Sequence, residues 1–525
     1  MQLIENITRQ YATPGSQLEA AKALWRYRLG AVQVKTPDDN INRMLNVWLP
    51  YQTTASRLWA RAGFYQAGGA IGFRDQLQDM LVLLDTRPDE VREHILLCAE
   101  HQYIEGDVMH WWHPPVMSSA QTDRNSLGRG VRTRLSDDKL FMPYMTALYI
   151  AHSGDAAVLS AVRPYIKSEP LADGAEDRYE EARASGESGD LLDHCLRAIG
   201  SVRMGEHGCP LMGGGDWNDA MNKIGGDGKG ESVWLGFFFV TVCRLFAAVC
   251  PKEIAVDLRA RAAKVLYAIE VSAWDGEWYR RAWFDDGCVI GSSESCECRI
   301  DAIAQSWSVL AGADAKRSSM AVDSAVKRLY MPEEGIMRLL DPPFDGKLSP
   351  GYIRGYIPGV RENGGQYTHG AAWTVMALAR LGETTRAWEI YQALLPQSHS
   401  YDKESAETYR VEPYVAAADV YTNPQQLGRG GWTWYTGAAA WLYHIGLREL
   451  MGFEKCGSRA RLVTANANPM WERYEVVYQA GGSAYHLQAR QGADEVMLDG
   501  APVSNKDGFV ELRDDGRTHL AVYPV

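Results

Sequence analysis

Two carboxylates, an indole and three consecutive glycines stand together in Leu-Met-Gly-Gly-Gly-Asp-Trp-Asn-Asp-Ala-Met-Asn, residues 211–222. Glycines at 213–215 are poor in a helix or strand interior, so the spacing predicts a loop that a ligand can approach closely. Asp216, Trp217, Asn218 and Asp219 then offer acid/base groups, amide hydrogen bonds and an aromatic face, a set that suits a sugar with apolar C–H faces and polar edges. A solvated Asx turn opening a helix, with Trp217 filling a core gap, is the competing reading of the same residues.

Other chemistry-bearing residues recur in short Gly-rich runs. Arg74 and Asp79 lie in Gly-Gly-Ala-Ile-Gly-Phe-Arg-Asp-Gln-Leu-Gln-Asp, residues 68–79; Trp111, Trp112 and His113 in Glu-Gly-Asp-Val-Met-His-Trp-Trp-His-Pro-Pro, 105–115. Arg129, Arg132 and Arg134 lie in Gly-Arg-Gly-Val-Arg-Thr-Arg, 128–134, and are equally suited to line a pocket or to pair with Asp137 and Asp138. Glu362, Gln366 and His369 share Glu-Asn-Gly-Gly-Gln-Tyr-Thr-His, and Thr436 and Gly437 close Gly-Arg-Gly-Gly-Trp-Thr-Trp-Tyr-Thr-Gly. Arg57 and Arg61, one turn apart, either reach a pocket or stay solvated or paired.

These runs sit between segments of helical periodicity. Residues 16–27 read as a lead-in helix. Apolar spacing near 3.6 then recurs at 40–60, 74–84, 88–101, 137–153, 156–166, 190–204, 232–249, 252–273, 303–311, 315–330, 371–381, 385–395 and 432–450. Helices in this number, with Gly- and Pro-rich links and no strand–helix alternation, predict a mainly α frame carrying its site on loops. After Gly452 short β-type runs at 474–478, 484–488, 495–498 and 520–523 predict a small β-sandwich cap. The expected organisation is a lead-in helix and linker over 1–38, a helical catalytic domain over 39–452 and a small β domain over 453–525. The polar link from 116 to 127 reads as a mobile loop and a candidate lid.

Composition sets limits on partners. A formal net charge of −12 argues against nucleic acid or an anionic membrane, both of which need a basic patch. No stretch approaches the roughly 20 apolar residues of a membrane span, and no signal peptide is visible, so the expected location is the cytoplasm. The nine cysteines read as reduced thiols, and the lone Cys296-Glu-Cys298 pair as structural thiols in preference to zinc ligands; no metal or organic cofactor is expected.

Taken together and in order, the motifs resemble glycoside hydrolase family 94, the inverting β-glucan and β-disaccharide phosphorylases. The wording Phe-Tyr-Gln-x-Gly-Gly and His-Trp-Trp-His-Pro-Pro is most similar to the phosphorylase-like domain of cyclic β-1,2-glucan synthases and to 1,2-β-oligoglucan phosphorylases. The resemblance implies an (α/α)6 barrel, with Asp219 as general acid. It implies Arg74, Asp79, Asp216, Trp217 and Glu362 as donor-sugar ligands, and Arg74, His369, Thr436 and Gly437 as phosphate ligands. Trp111, Trp112, His113 and Gln366 fall on the acceptor side. Read locally, Asp216 also fits a helix N-cap, the Arg74–Asp79 pair a buried ion pair, and His369 a packing or capping residue. Ala220 stands where the family commonly has glycine, and the large N-terminal β-sandwich usual in the family has no counterpart ahead of residue 39.

The resemblance implies inorganic phosphate as co-substrate, attacking the anomeric carbon of a β-glucan oligosaccharide or disaccharide to give α-glucose 1-phosphate. Two rival readings stand beside it: an inverting hydrolase with Glu362 as base, and an auxiliary carbohydrate-binding domain of a glucan synthase. Assembly as a homodimer, or as part of a larger synthase polypeptide, is compatible with either.

Overall fold

The apolar segment Val233–Phe246 is a helix in which every residue except Arg244 and Leu245 is buried, and Thr368–Arg380 is a helix buried at all but Arg380. Helices apolar all round must lie inside a larger assembly. By contrast, Lys252–Ser272 buries only Ala255, Leu258, Ala262, Val265 and Ile269, one stripe at spacings of three and four, as a helix lying on the outside does.

The computed structural model describes residues 14–63, 66–115, 126–172 and 174–525. Six inner helices are labelled α1 (Phe73–Asp79), α2 (Phe141–Ser153), α3 (Val233–Phe246), α4 (Ala302–Leu310), α5 (Thr368–Arg380) and α6 (Ala438–His444). Each packs on the next in this order, and α6 packs back on α1, so the contacts close on themselves. Outer helices lie against them: Pro88–Ala99 and Leu191–Gly200 on α2, Lys252–Ser272 on α3, Ala315–Leu329 on α4 and Thr384–Ala393 on α5. A helical run over 39–59, alternating α segments with π turns at Met44–Trp48 and Thr53–Trp59, lies on α6 and α1.

Tryptophans fill the middle. The Trp373 ring lies 5.0 Å from Trp217, 6.0 Å from Trp234, 5.1 Å from Trp307 and 5.4 Å from Trp441, centroid to centroid. Trp307 and Trp441 meet it edge to face, Trp234 lies stacked and Trp217 tilted, and indoles packed in this way make a rigid floor because each fixes its neighbour's rotamer. Short polar caps start the helices over this floor: Ser232 accepts from the Leu235 N–H, and Asp301 from those of Ile303 and Ala304.

Strands are more abundant than the periodicity suggests. An antiparallel sheet runs in the order Ile71–Gly72, Met109–His113, Ser126–Thr133, Asp177–Asp190, Val162–Ile166. Residues 156–166, read as helical, form a short 3-10 turn and then the edge strand of this sheet. Likewise the helix expected over 432–450 begins only at Ala438, because Gly430, Gly431 and the turn at 433–437 precede it. The expected lead-in helix lies within Pro14–Leu29.

The C-terminal strands form a six-stranded sheet and a three-stranded one. Val32–Lys35, expected as linker, pairs antiparallel with Arg473–Ala480 and completes the larger sheet. Its Val32 and Val34 join the same hydrophobic core as Leu487 and the ring helices, so residues before the ring and after it are one packed unit. The stretch expected as a lid falls almost wholly outside the described residues, as do Phe64 and Tyr65.

Candidate active site

A cleft of about 880 Å3, open solvent at its mouth included, lies at one end of the helix ring over the tryptophan floor. Its walls carry Arg74, Trp217, Asp219, Glu362, His369, Thr436 and Gly437, seven residues that the sequence singled out from four separate runs. Arg57, Asp75, Gln78, Arg361 and the tyrosines 352, 356, 367 and 435 complete it.

The loop at 211–222 is pinned on every side. Gly213 bridges Leu135, the Gly214 N–H donates to Arg134 O, and Ser136 donates through both its N–H and hydroxyl to Gly215 O. Gly213 has φ 58° and Gly215 φ 122°, and a Cβ on Gly213 would stand 2.5 Å from the Arg134 carbonyl oxygen, so the glycines here are sterically required. Asp216 is fully buried and does not line the cleft. Its carboxylate accepts from both terminal nitrogens of Arg281 at 2.6 and 2.8 Å and from the Ser232 hydroxyl at 2.6 Å. It is neither a sugar ligand by position nor a helix cap; the cap of the short turn Asp219–Met221 is Asn218.

Asp219, one-third exposed, meets Arg74 end to end, with Nη1–Oδ1 at 2.8 Å and Nη2–Oδ2 at 3.0 Å. Arg74 also lies 3.3 Å from Asp75, 3.3 Å from Asp137 and 3.7 Å from Asp138. Burial opposes the Arg74 charge, but Asp219, Asp137 and Asp138 outweigh it and hold its pKa well above the usual arginine value. Burial pushes the Asp137 carboxyl far up, with Arg74 working against it. His110 donates from Nδ1 to Asp138 Oδ2 at 2.8 Å. Burial would lower its pKa, but Asp138 raises it to about 9. His110 sits where the strand Met109–His113 shifts register against Ser126–Thr133, and such a bulge re-aims a side chain.

Asp79 does not reach the cleft either. Fully buried, it accepts from Arg57 Nε at 2.9 Å, and Arg57 in turn reaches Asp75 at 3.3 Å and the face of Tyr435. The expected Arg74–Asp79 pair is therefore replaced by a pair of Asp79 with Arg57 from the preceding helical run, and Arg57 is brought into the cleft while Arg61 is not. Glu362 gives both oxygens to Arg361 at 3.1 Å, and the Arg361 guanidinium lies 3.8 Å from the Trp432 centroid and 4.8 Å from that of Tyr356. Burial raises the Glu362 pKa, with Arg361 opposing.

On the opposite wall a Cβ built on Gly437 would lie 3.5 Å from His369 Cε1 and Nδ1, which places the two side by side. His369 packs edge-on to Trp217 and Trp373, and burial lowers its pKa to about 3, so the ring is neutral at ordinary pH. Its Nε2 is buried with no hydrogen-bond partner among the described residues. Thr436 Oγ1 accepts from the Ala438 N–H at 3.0 Å, leaving the hydroxyl proton to donate elsewhere.

The residues expected on the acceptor side do not line this cleft. Trp112 is buried and stacked on His101 at 3.8 Å, and Gln366 is buried with its side-chain oxygen on the Met337 N–H. Trp111 and His113 lie on the five-stranded sheet, His113 against Gly68 O at 3.3 Å. Arg132 pairs with Asp107 and Glu105, and Arg134 with the carbonyls of Ala172 and Ala175; neither meets Asp137 or Asp138. Sequence reasoning missed Asp75, Gln78, His110, Arg361 and the four tyrosines. Asp75, His110, Arg361, Tyr367 and Tyr435 each adjoin a residue that the sequence singled out, and that adjacency was their signal.

The family model described as "Glycosyl hydrolase 94 superfamily, catalytic domain" matches residues 24–452. Among curated proteins, the chain is 44% identical over 481 residues to the cyclic beta-(1,2)-glucan synthase NdvB of Rhizobium meliloti (strain 1021), which covers 90% of this chain and 17% of that protein. It is 28% identical over 504 residues to the solabiose phosphorylase of Paenibacillus borealis, covering 93% of this chain and 60% of that one. It is also 28% identical over 522 residues to the N,N'-diacetylchitobiose phosphorylase of Vibrio proteolyticus, at 93% and 62% coverage. The chain thus spans less than two thirds of the length of these relatives. Among solved structures, a GH78 family rhamnosidase of Bacillus sp. GL1 superposes with a TM-score of 0.55 at 12% identity, covering 94% of this chain and 44% of that one, a likeness of fold.

Proposed function

This chain belongs to the glycosyl hydrolase 94 superfamily, and we propose that it is an inverting β-glucoside phosphorylase, a glycosyltransferase-type enzyme of the EC 2.4.1 class. We read the closed double layer of helices as the (α/α)6 barrel of that family. Inorganic phosphate attacks the anomeric carbon of the terminal β-glucosyl residue while Asp219 protonates the departing oxygen, giving α-glucose 1-phosphate and a chain one unit shorter. A β-1,2-linked oligoglucan is the favoured substrate, on the strength of 44% identity to a β-1,2-glucan synthase against 24–28% to the phosphorylases of other disaccharides.

The observation that carries this reading is the group of His369, Thr436 and Gly437 in the cleft that holds Arg74 and Asp219: a neutral imidazole with an unpartnered ring nitrogen and a hydroxyl whose proton is left to donate. Such hydrogen-bond donors without acceptors, beside a guanidinium, fit an oxyanion. Arg74 meets both oxygens of Asp219. Phosphate arriving in the cleft competes for the same guanidinium, and as Arg74 turns to it Asp219 is released towards the glycosidic oxygen. Phosphate is itself the nucleophile, so no base is required. A hydrolase would ask Glu362 to activate water, and a carboxylate that gives both oxygens to Arg361 is poorly disposed to do so. Trp217 supplies the apolar face for the donor ring. No metal or organic cofactor enters this reaction, the setting we assign is cytoplasmic, and the chain works alone, as a homodimer or within a larger glucan synthase.

Asp219→Asn tests the acid role. We expect it to abolish phosphorolysis of oligoglucans yet to retain phosphate-dependent turnover of a β-glucoside with a nitrophenolate leaving group, which needs no proton. Equal loss on both substrates would remove Asp219 from that role.

A further inference from the structure

Left-handed backbone is costly for a bulky residue and persists where the surroundings enforce it, commonly at ligand clamps. Among the described residues, the non-glycine positions with positive φ include Arg361 at 53°, Arg410 at 60° and Trp434 at 64°. The first lines the cleft described above. The other two line a second groove, of about 1,200 Å3 with open solvent included, whose walls also carry Glu412, Tyr421, Arg429 and Thr433.

The two sites share a wall. Trp434 faces the second groove while the next three residues, Tyr435, Thr436 and Gly437, line the first. The Trp434 indole is fixed by donation from Nε1 to Glu412 Oε1 at 2.8 Å. Rings continue outward from it: Tyr414 at 6.5 Å, itself 36% exposed, and Tyr51 at 6.3 Å, with Trp48 lying 4.4 Å from Tyr414. Arg410 owes its left-handed backbone to capping the helix Lys403–Tyr409, whereas Trp434 holds it in the loop between the two sites, and a simple core cluster would need no polar rim. Here aromatic faces stand beside two guanidinium groups and a carboxylate, groups that respectively cover the C–H face of a pyranose and hold its paired hydroxyls.

We propose that this groove is a second carbohydrate site, holding glucosyl units of a β-glucan chain away from the linkage being cleaved. The inference deepens the reading above, since it takes a β-glucan as substrate. It makes the enzyme one for chains over disaccharides: the units held on Trp434 and Tyr414 keep the polymer engaged between successive releases of its terminal residue.

The test is calorimetric binding to the full chain carrying Asp219→Asn, with sophorose and with β-1,2-glucans of increasing length as ligands. Affinity should rise with length, and Trp434→Ala and the half-exposed Tyr414→Ala should each weaken the long chains by about five- to tenfold while changing sophorose little. Length-independent affinity, or an equal loss for sophorose and long chains in both variants, would overturn the proposal. Because binding is measured without turnover, a protein that holds long chains here yet forms no glucose 1-phosphate would sink phosphorolysis and leave the groove standing.

Discussion

His369 and His110 lie in one site and are driven in opposite directions. Burial among tryptophans keeps His369 neutral, so its ring N–H can donate without titrating anywhere near neutrality. His369→Phe should raise the KM for phosphate roughly ten- to hundredfold, the loss of one buried hydrogen bond to a charged group, with a smaller effect on the sugar KM. Wild-type phosphate binding should show no His369 titration between about pH 5 and 8. His110 is the reverse case: Asp138 raises it from the ordinary histidine value near 6.5 to about 9. A folded-state pKa above the unfolded one stabilises the fold fully below about pH 6.5, and that contribution disappears as pH rises through 9. The stability difference between wild type and His110→Gln, measured by urea unfolding, should therefore shrink between pH 6.5 and 9.5. A difference that is flat across that range would mean His110 is not an imidazolium in the fold.

At the scale of the element, the glycine loop at 213–215 and the short turn after it form a bracket that aims Asp219, and the buried Asp216–Arg281 pair is its bolt. Arg281→Leu leaves Asp216 charged, buried and unpaired, so it should cost about 3–5 kcal/mol in denaturant unfolding and reduce kcat through displacement of Asp219. Asp216→Asn should likewise show its main effect in stability; a raised sugar KM at unchanged stability would make Asp216 a ligand after all. The loop was legible in the sequence because three consecutive glycines fit no helix or strand interior. Which carboxylate faced the cleft was not, because that depends on Arg281 and Arg57, supplied from elements 65 and 22 residues away from their partners. The inner helices were equally legible from continuous apolar runs. The sheet around Met109–His113 was missed since its strands are rich in Gly, Arg and Glu, which carry little β signal.

Across the whole molecule the segments before and after the helix ring are joined. Val32–Lys35 is an interior-facing strand only because Arg473–Ala480 lies beside it, a pairing over more than 400 residues that no local pattern announces. The division at residue 452 is therefore a change in secondary structure within one packed core. A chain ending at 452 leaves Val32 and Val34 exposed and uncovers the face that Phe453 and Tyr474 bury, so it should aggregate or lose cooperative unfolding. A truncated chain that is soluble and unfolds in a single transition would show that the ring stands alone. The aromatic second groove belongs to the same scale, as the place where chain length enters the reaction.

In the mechanism we propose, phosphate and not water breaks the β-glucosidic bond. Phosphorus and proton NMR of the full chain acting on β-1,2-oligoglucans, with and without inorganic phosphate, tests it most directly. We predict α-glucose 1-phosphate appearing only with phosphate and in step with chain shortening; free α-glucose formed at the same rate in its absence would contradict the account and make Glu362 the base of a hydrolase.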